Sequence, residues 1–218
     1  MKTVKKMLFA FVAFVTFFSC INVAFCAHKD VRSVKTGDVI YFDNKNVNWD
    51  NVKIYFFNSE SNAYMVPWDN SVTMTKVSEN STIYSYTVPE SLNAEAHNCD
   101  CIIFNNGIGG DSNQSIHLGF FETGYAFMAD NNSKKTGYWY VYDKSELQEL
   151  YNSVKDYEST YYTEDSWNNF KEKLDSANNL LNNEVRVGDD PAGGYDCAYE
   201  TGISDLKAAR DEKQNRWN

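Results

Sequence analysis

The residues of this sequence best placed to bind something are aromatic rings. In Val52-Lys53-Ile54-Tyr55-Phe56-Phe57 a period of two sends Val52, Ile54 and Phe56 to one face and Lys53, Tyr55 and Phe57 to the other. With the first set in a core, two rings point outward, and the segment that follows holds Tyr64 and Trp68 among Asn, Ser and Asp. Rings bordered by amides and carboxylates suit a sugar-binding surface. The apolar face of a pyranose packs on an aromatic face while its hydroxyls take hydrogen bonds at the rim. The same rings would serve equally well to pack against a covering loop or a neighbouring part of the chain, and the period alone leaves both readings open.

Catalytic chemistry has less to work with. A hydrolase needs positioned carboxylates, a nucleophile with its base, or a metal. The histidines are His28, His97 and His117, and there is no Gly-x-Ser-x-Gly, no His-Glu-x-x-His and no phosphate-binding glycine loop. Two acids brought together only by the fold would leave no local trace, so an enzyme is not expected rather than excluded. The run His97-Asn98-Cys99-Asp100-Cys101 has metal-binding residue types but no second cluster at zinc spacing. Neither a metal nor another cofactor is expected.

The beginning of the chain reads as an export signal. Lys2, Lys5 and Lys6 precede an unbroken apolar run from Met7 to Phe18, and smaller residues follow up to Ala27. The run is about a dozen residues, short of the roughly 20 that span a bilayer, so a cleaved signal peptide over residues 1–26 is expected, with no transmembrane helix in the mature chain. Its removal takes away three lysines and no acids, so a net charge of -10 becomes -13. That acidity argues against nucleic acid and anionic membrane surfaces as partners. Beyond the signal the cysteines are Cys99, Cys101 and Cys197, an odd and scattered set that makes no disulfide framework, so the fold must rest on a packed core.

Two periodicities divide the rest. From Thr36 to about Tyr142, short β-branched and aromatic runs separated by Asn, Asp, Ser and Gly predict an all-β antiparallel sandwich of about eight short strands, spanning residues 37–142. After Asp143 the period becomes about 3.6 and predicts a small three-helix bundle over residues 144–215. Ser145 and Gln148 suggest a capping box for the first helix, whose apolar face is Leu147, Leu150, Tyr151, Val154 and Tyr157. Thr163 can cap a second helix with Trp167, Phe170, Leu174, Ala177 and Leu181 on one face. Val185 to Gly194 breaks the pattern before a third helix, starting near Asp190-Pro191 or Tyr195-Asp196, that carries Tyr199, Ile203 and Leu206 and is weakened by Gly202.

The stretch Val39-Ile40-Tyr41-Phe42, Val52 to Asn58, Pro67-Trp68, Met74 to Val77, Ile83 to Pro89, and Ile102-Ile103-Phe104-Asn105-Asn106-Gly107 followed by Gln114-Ser115 resembles the starch-binding carbohydrate-binding modules of family 26. The likeness covers roughly residues 37–128. It implies a non-catalytic β-sandwich that binds α-1,4-glucan, starch or maltooligosaccharides, through rings on a strand and on the next loop. By that likeness the carbohydrate-binding residues are Tyr55, Phe57, Tyr64 and Trp68, with Gln114 and Asn105 as polar contacts. The chain departs from the family pattern where the usual Trp-Pro-Gly reads Trp68-Asp69-Asn70, and where a strand Trp is Phe57. The helical part, with Tyr161-Tyr162-Thr163-Glu164-Asp165-Ser166-Trp167, resembles FIVAR-type three-helix modules of bacterial surface proteins, which implies a spacer or adhesion element. The expectation is a secreted bacterial α-glucan-binding protein, at the cell surface or beyond it, with cell-surface or amylase-complex proteins as conceivable further partners. Its rival is a protein-binding adhesin or scaffold component that binds no sugar.

Overall fold

Both periodicities are realised. The computed structural model describes residues 31–120, 122–188 and 197–212, so the expected signal segment lies outside the described residues. The strands are β1 (Val39–Asp43), β2 (Lys53–Phe57), β3 (Val72–Thr73), β4 (Thr75–Lys76), β5 (Ile83–Thr87), β6 (Cys101–Asn105), β7 (Leu118–Gly119), β8 (Tyr125–Ala129), β9 (Gly137–Val141) and β10 (Arg186–Gly188). The helices are α1 (Ala94–His97), α2 (Ser145–Val154), α3 (Glu164–Asn182) and α4 (Ala198–Asp211). The strands make a six-stranded sheet in the order β10-β9-β8-β1-β5-β4 and a four-stranded sheet in the order β3-β2-β6-β7.

The core between the sheets is aromatic. The Phe104 ring from the smaller sheet lies 4.7 Å from Phe42, 6.0 Å from Phe127 and 6.3 Å from Trp139, all three on the larger sheet. Ile54, Phe56, Ile102 and Leu118 complete the smaller sheet's inner face and are fully buried. Such interdigitation is what alternating strands achieve when two sheets pack face to face.

Three features differ from the sequence expectation. The strand expected over Val72 to Val77 divides: β3 pairs with β2 in one sheet and β4 with β5 in the other, and Met74, buried between them, turns the corner. One pairing, β1 with β8, is parallel in an otherwise antiparallel sandwich. The break expected from Val185 contains β10, which pairs with β9 and so lets the helical part add a strand to the larger sheet. That strand is held by Arg186, whose guanidinium sits 3.7 Å over the Tyr138 ring.

The helices pack through the expected faces. Leu147, Leu150 and Val154 of α2, Phe170 and Ala177 of α3, and Tyr199, Ile203, Leu206 and Ala209 of α4 are buried. Thr163 caps α3 as expected: its hydroxyl accepts the Ser166 amide at 3.1 Å, and the Ser166 hydroxyl accepts the Thr163 amide at 3.0 Å. The box expected between Ser145 and Gln148 does not form. Asp143, one residue earlier than Lys144, instead accepts the Ser145 amide at 3.0 Å and its hydroxyl at 2.6 Å, because a carboxylate is the stronger acceptor. Both alternative starts of the third helix fall outside the described residues, and the described helix begins at Ala198. Gly202 has a packing reason, since a β-carbon there would come within 2.3 Å of Leu180 Cδ1 on α3. Cys99 and Cys101 are free thiols, whereas Cys197 is disulfide-bonded, a cross-link the cysteine count did not predict.

Candidate functional site

Alternation in β2 works as the sequence reading has it. Val52, Ile54 and Phe56 are buried, whereas Lys53, Tyr55 and Phe57 stand half-buried on the outer face of the smaller sheet. Antiparallel register places Lys53 opposite Asn105, Tyr55 opposite Ile103 and Phe57 opposite Cys101. Directly opposed residues share a face, so Ile103, itself buried, supports Tyr55 from the side.

The loop after β2 returns its own rings to the same face. Asn58 Oδ1 accepts the amides of Glu60 at 3.0 Å and Ser61 at 2.7 Å, and the Asn58 amide bonds to the Ala63 carbonyl at 2.7 Å. This Asx turn reverses the chain tightly enough for Tyr64 to bridge Phe57 as an extra antiparallel partner. Trp68 follows Pro67 at the start of a one-turn 3₁₀ segment, Trp68–Asn70. The Ser71 hydroxyl and amide both close on the Trp68 carbonyl, at 2.6 and 3.0 Å. The replacement of the usual Pro-Gly by Asp69-Asn70 therefore still leaves the Trp68 backbone clamped.

On the opposite edge a β-bulge matters. Asn105 bridges Gln114, yet Ile102 pairs with Leu118, so three steps along β6 are matched by four on the facing strand. The Ser115 side chain absorbs the irregularity by accepting the Phe104 amide at 3.0 Å. The extra residue lets Gln114 and His117 both face outward, although three positions apart they would otherwise alternate. Sequence reading passed over His117, because a lone histidine carries no signal until the bulge aims it.

The rings form a shaped surface. Tyr55 is the hub: Phe57 lies 6.1 Å away at 19°, Tyr64 6.4 Å at 34°, and Trp68 4.9 Å at 72°. His117 meets Phe57 at 5.0 Å and 70°. The Tyr55 and Phe57 rings thus have nearly parallel, stacked planes, Trp68 meets Tyr55 at a steep angle, and His117 meets Phe57 at a steep angle on the border of the group. Tyr64 is 48% exposed beside the floor. Burial holds the Tyr55 hydroxyl above the usual tyrosine range, with Tyr64 and Cys99 adding to the effect, so it stays a neutral hydrogen-bond donor. Under Phe57, burial and Asp100 push the Cys101 thiol up to about 11, which makes it a neutral, unreactive neighbour.

Of the six site residues expected, Tyr55, Phe57, Tyr64 and Trp68 meet directly, and Gln114 joins them across the sheet. Asn105 is more enclosed than the others. It is only 2% exposed, and its side-chain oxygen accepts the Gly107 amide at 3.0 Å, so it shapes the turn after β6 instead of facing solvent. It still lines a polar hollow of about 190 Å³ with Lys53, Trp68, Asp69 and Ser71. Among the described residues no three His, Cys, Asp or Glu side chains gather where they could hold a metal ion, and no helix is long and apolar enough to cross a membrane. What the face offers is ring area bordered by polar side chains.

No curated protein matches the chain. Over residues 40–119, the segment that carries every ring of this face, the chain matches the model of the CBM26 family, starch-binding module 26.

Proposed function

We propose that this protein is a secreted, non-catalytic α-glucan-binding protein that holds starch or maltooligosaccharides on the face built by Tyr55, Phe57, Tyr64 and Trp68, with Gln114 at the rim. The observation that carries the reading is that these rings lie open on the smaller sheet. The helical part joins the larger sheet instead, through β10 on β9, the Val141 amide on the Val185 carbonyl at 2.9 Å, and the Tyr125 hydroxyl on Glu200. The rings are therefore not spent on packing the bundle. The family match over residues 40–119 supports the same ligand class. For the helical part, the likeness to FIVAR-type modules supports a spacer or docking element.

A ring that covers one sugar face removes about 100 Å² of apolar area, about 2.5 kcal/mol at about 25 cal/mol per Å². Two or three such contacts, less the cost of ordering the ligand, give binding of roughly tens of micromolar to millimolar. Affinity electrophoresis of the mature protein in native gels containing soluble starch, β-glucan or xylan tests the reading. Selective retardation by starch is the expected result; no retardation in any gel would turn the assignment to a protein-binding scaffold, and release of reducing sugar from starch would overturn the non-catalytic part.

A further inference from the structure

The glucan reading places the ligand between Trp68 and Phe57, but the sheet face does not end there. On the far side of His117, which touches Phe57, lies a hollow of about 290 Å³ lined by Asp111, Gln114, Ser115, Ile116, His117 and Lys134. Its parts come from both sheets. Gln114 and His117 are aimed by the bulge before β7, whereas Lys134 is carried by the turn between β8 and β9. That turn is tied by Asn132 Oδ1, which accepts the Lys134 amide at 3.1 Å and the Thr136 amide at 3.3 Å, and by Lys135, whose ammonium donates to the Asn132 carbonyl at 2.6 Å. Lys135 is itself buried, so the turn is a held structure.

Three of the side chains that line the hollow make no polar contact elsewhere among the described residues. Gln114, His117 and Lys134 form no side-chain hydrogen bond or ion pair among the described residues, and His117 spends its ring only on the edge contact with Phe57. An exposed imidazole, a free amide and a free ammonium around the half-buried Ile116 are one ring face plus hydroxyl partners, the same chemistry as the main platform. Asp111 and Lys134 balance in charge, which suits an uncharged ligand.

We propose that the hollow is a second glucosyl subsite, continuous with the first, in which His117 stacks on a further sugar and Gln114 and Lys134 hydrogen-bond its hydroxyls. This inference rests on the glucan reading and adds to it a dependence on chain length: a short oligosaccharide covers the rings from Trp68 to Phe57, and a longer one also reaches past His117.

Titration calorimetry of the full mature chain with maltotriose and with maltoheptaose tests it. The wild type should bind the longer ligand about fivefold to tenfold more tightly, the worth of one partly covered ring face. His117→Ala should abolish that gain while leaving maltotriose within about twofold of wild type. Gln114→Ala, which removes an amide bordering both the platform and the hollow, should weaken maltoheptaose by about threefold, as the loss of a single neutral hydrogen bond does. His117→Phe, which keeps a ring, should keep the preference for length. A His117→Ala protein with the wild-type gain would overturn the subsite while leaving the platform intact, provided Trp68→Ala still weakens both ligands. Equal weakening of both ligands by His117→Ala would also overturn it, since His117 would then belong to the main platform. A wild type that binds neither oligosaccharide would overturn the glucan reading and the subsite together.

Discussion

Among single side chains, the rings are ranked by what they touch. Tyr55 contacts Phe57, Tyr64 and Trp68, so it holds the others in place, and under the proposed function it also offers a sugar contact. Tyr55→Ala should abolish retardation in starch gels, whereas Tyr55→Phe, which keeps the ring and loses one hydroxyl, should stay within about threefold to tenfold of wild type. Trp68 is not a hub. Trp68→Ala should weaken retention by roughly tenfold with an unchanged circular dichroism spectrum, because the 3₁₀ turn is held by backbone and Ser71 contacts that the indole does not make. All four rings were legible in the sequence, since alternation in β2 and the presence of large rings in a polar loop are local signals. The enclosure of Asn105 and the outward aim of His117 were not legible, for a common reason. Whether a polar side chain faces solvent depends on the neighbour strand, and the bulge opposite β6 is invisible from either strand alone.

For strands and helices, the informative residues are those where one element presses on another. Gly137 opens β9 directly against β8: an added β-carbon would stand 2.1 Å from the Met128 carbonyl oxygen and 2.8 Å from Phe127 Cζ. Backbone cannot yield as a side-chain tip can. Gly137→Ala should therefore destabilise by about 3 kcal/mol or more, seen as a lowered midpoint in urea with an unchanged slope. Lys144 gives the opposite kind of contact. Its ammonium donates to the Leu180 carbonyl at 2.7 Å and also to those of Leu181 and Asn183, closing the C-terminal end of α3 from the start of α2. Lys144→Met should cost about 1–2 kcal/mol in the same measurement.

Acid should loosen a different joint, where the Thr36 amide at 2.9 Å and hydroxyl at 3.0 Å bond the Glu95 carboxylate and hold it below the usual carboxylate range. A carboxyl depressed in the folded state contributes stability above its unfolded value and loses it as pH falls through the folded one. Hydrogen exchange at the Thr36 amide should thus accelerate only below the ordinary carboxylate range, and Glu95→Gln should make exchange there independent of pH beyond its intrinsic rate.

In the molecule as a whole, the two sheets have separate tasks. The smaller sheet carries the exposed ring cluster on its outer face, while the larger sheet receives β10 and the helices along β9 and β8. Trp139 and Val141 of β9 are buried, and Val187 of β10 is buried beside them. Ending the chain at Asp143 would leave the β9 edge unpaired and uncover apolar surface next to it. Such a truncation should lower the thermal midpoint by several degrees, on the order of 4–8 °C for each 1 kcal/mol in a domain of this size, yet retain starch binding where the protein stays folded. Loss of binding by a folded truncation would show that the helical part shapes the site.

What the sequence determined by itself was whatever a local period or composition carries: a β half and a helical half, the buried and outward sides of β2, the helix faces with Leu147, Phe170 and Leu206, and the Thr163 cap. These follow from interactions a few residues apart, so one strand or one turn suffices to reveal them. Tertiary structure alone decided the division of Val72 to Val77 between two sheets, the parallel β1–β8 pair, the return of Arg186–Gly188 to the sandwich, and the gathering of Trp68, Tyr55 and Phe57 on one face with His117 at its border. Each of these is a pairing between segments far apart in the chain. Such pairings are selected by how a whole core packs, and no single segment encodes that choice.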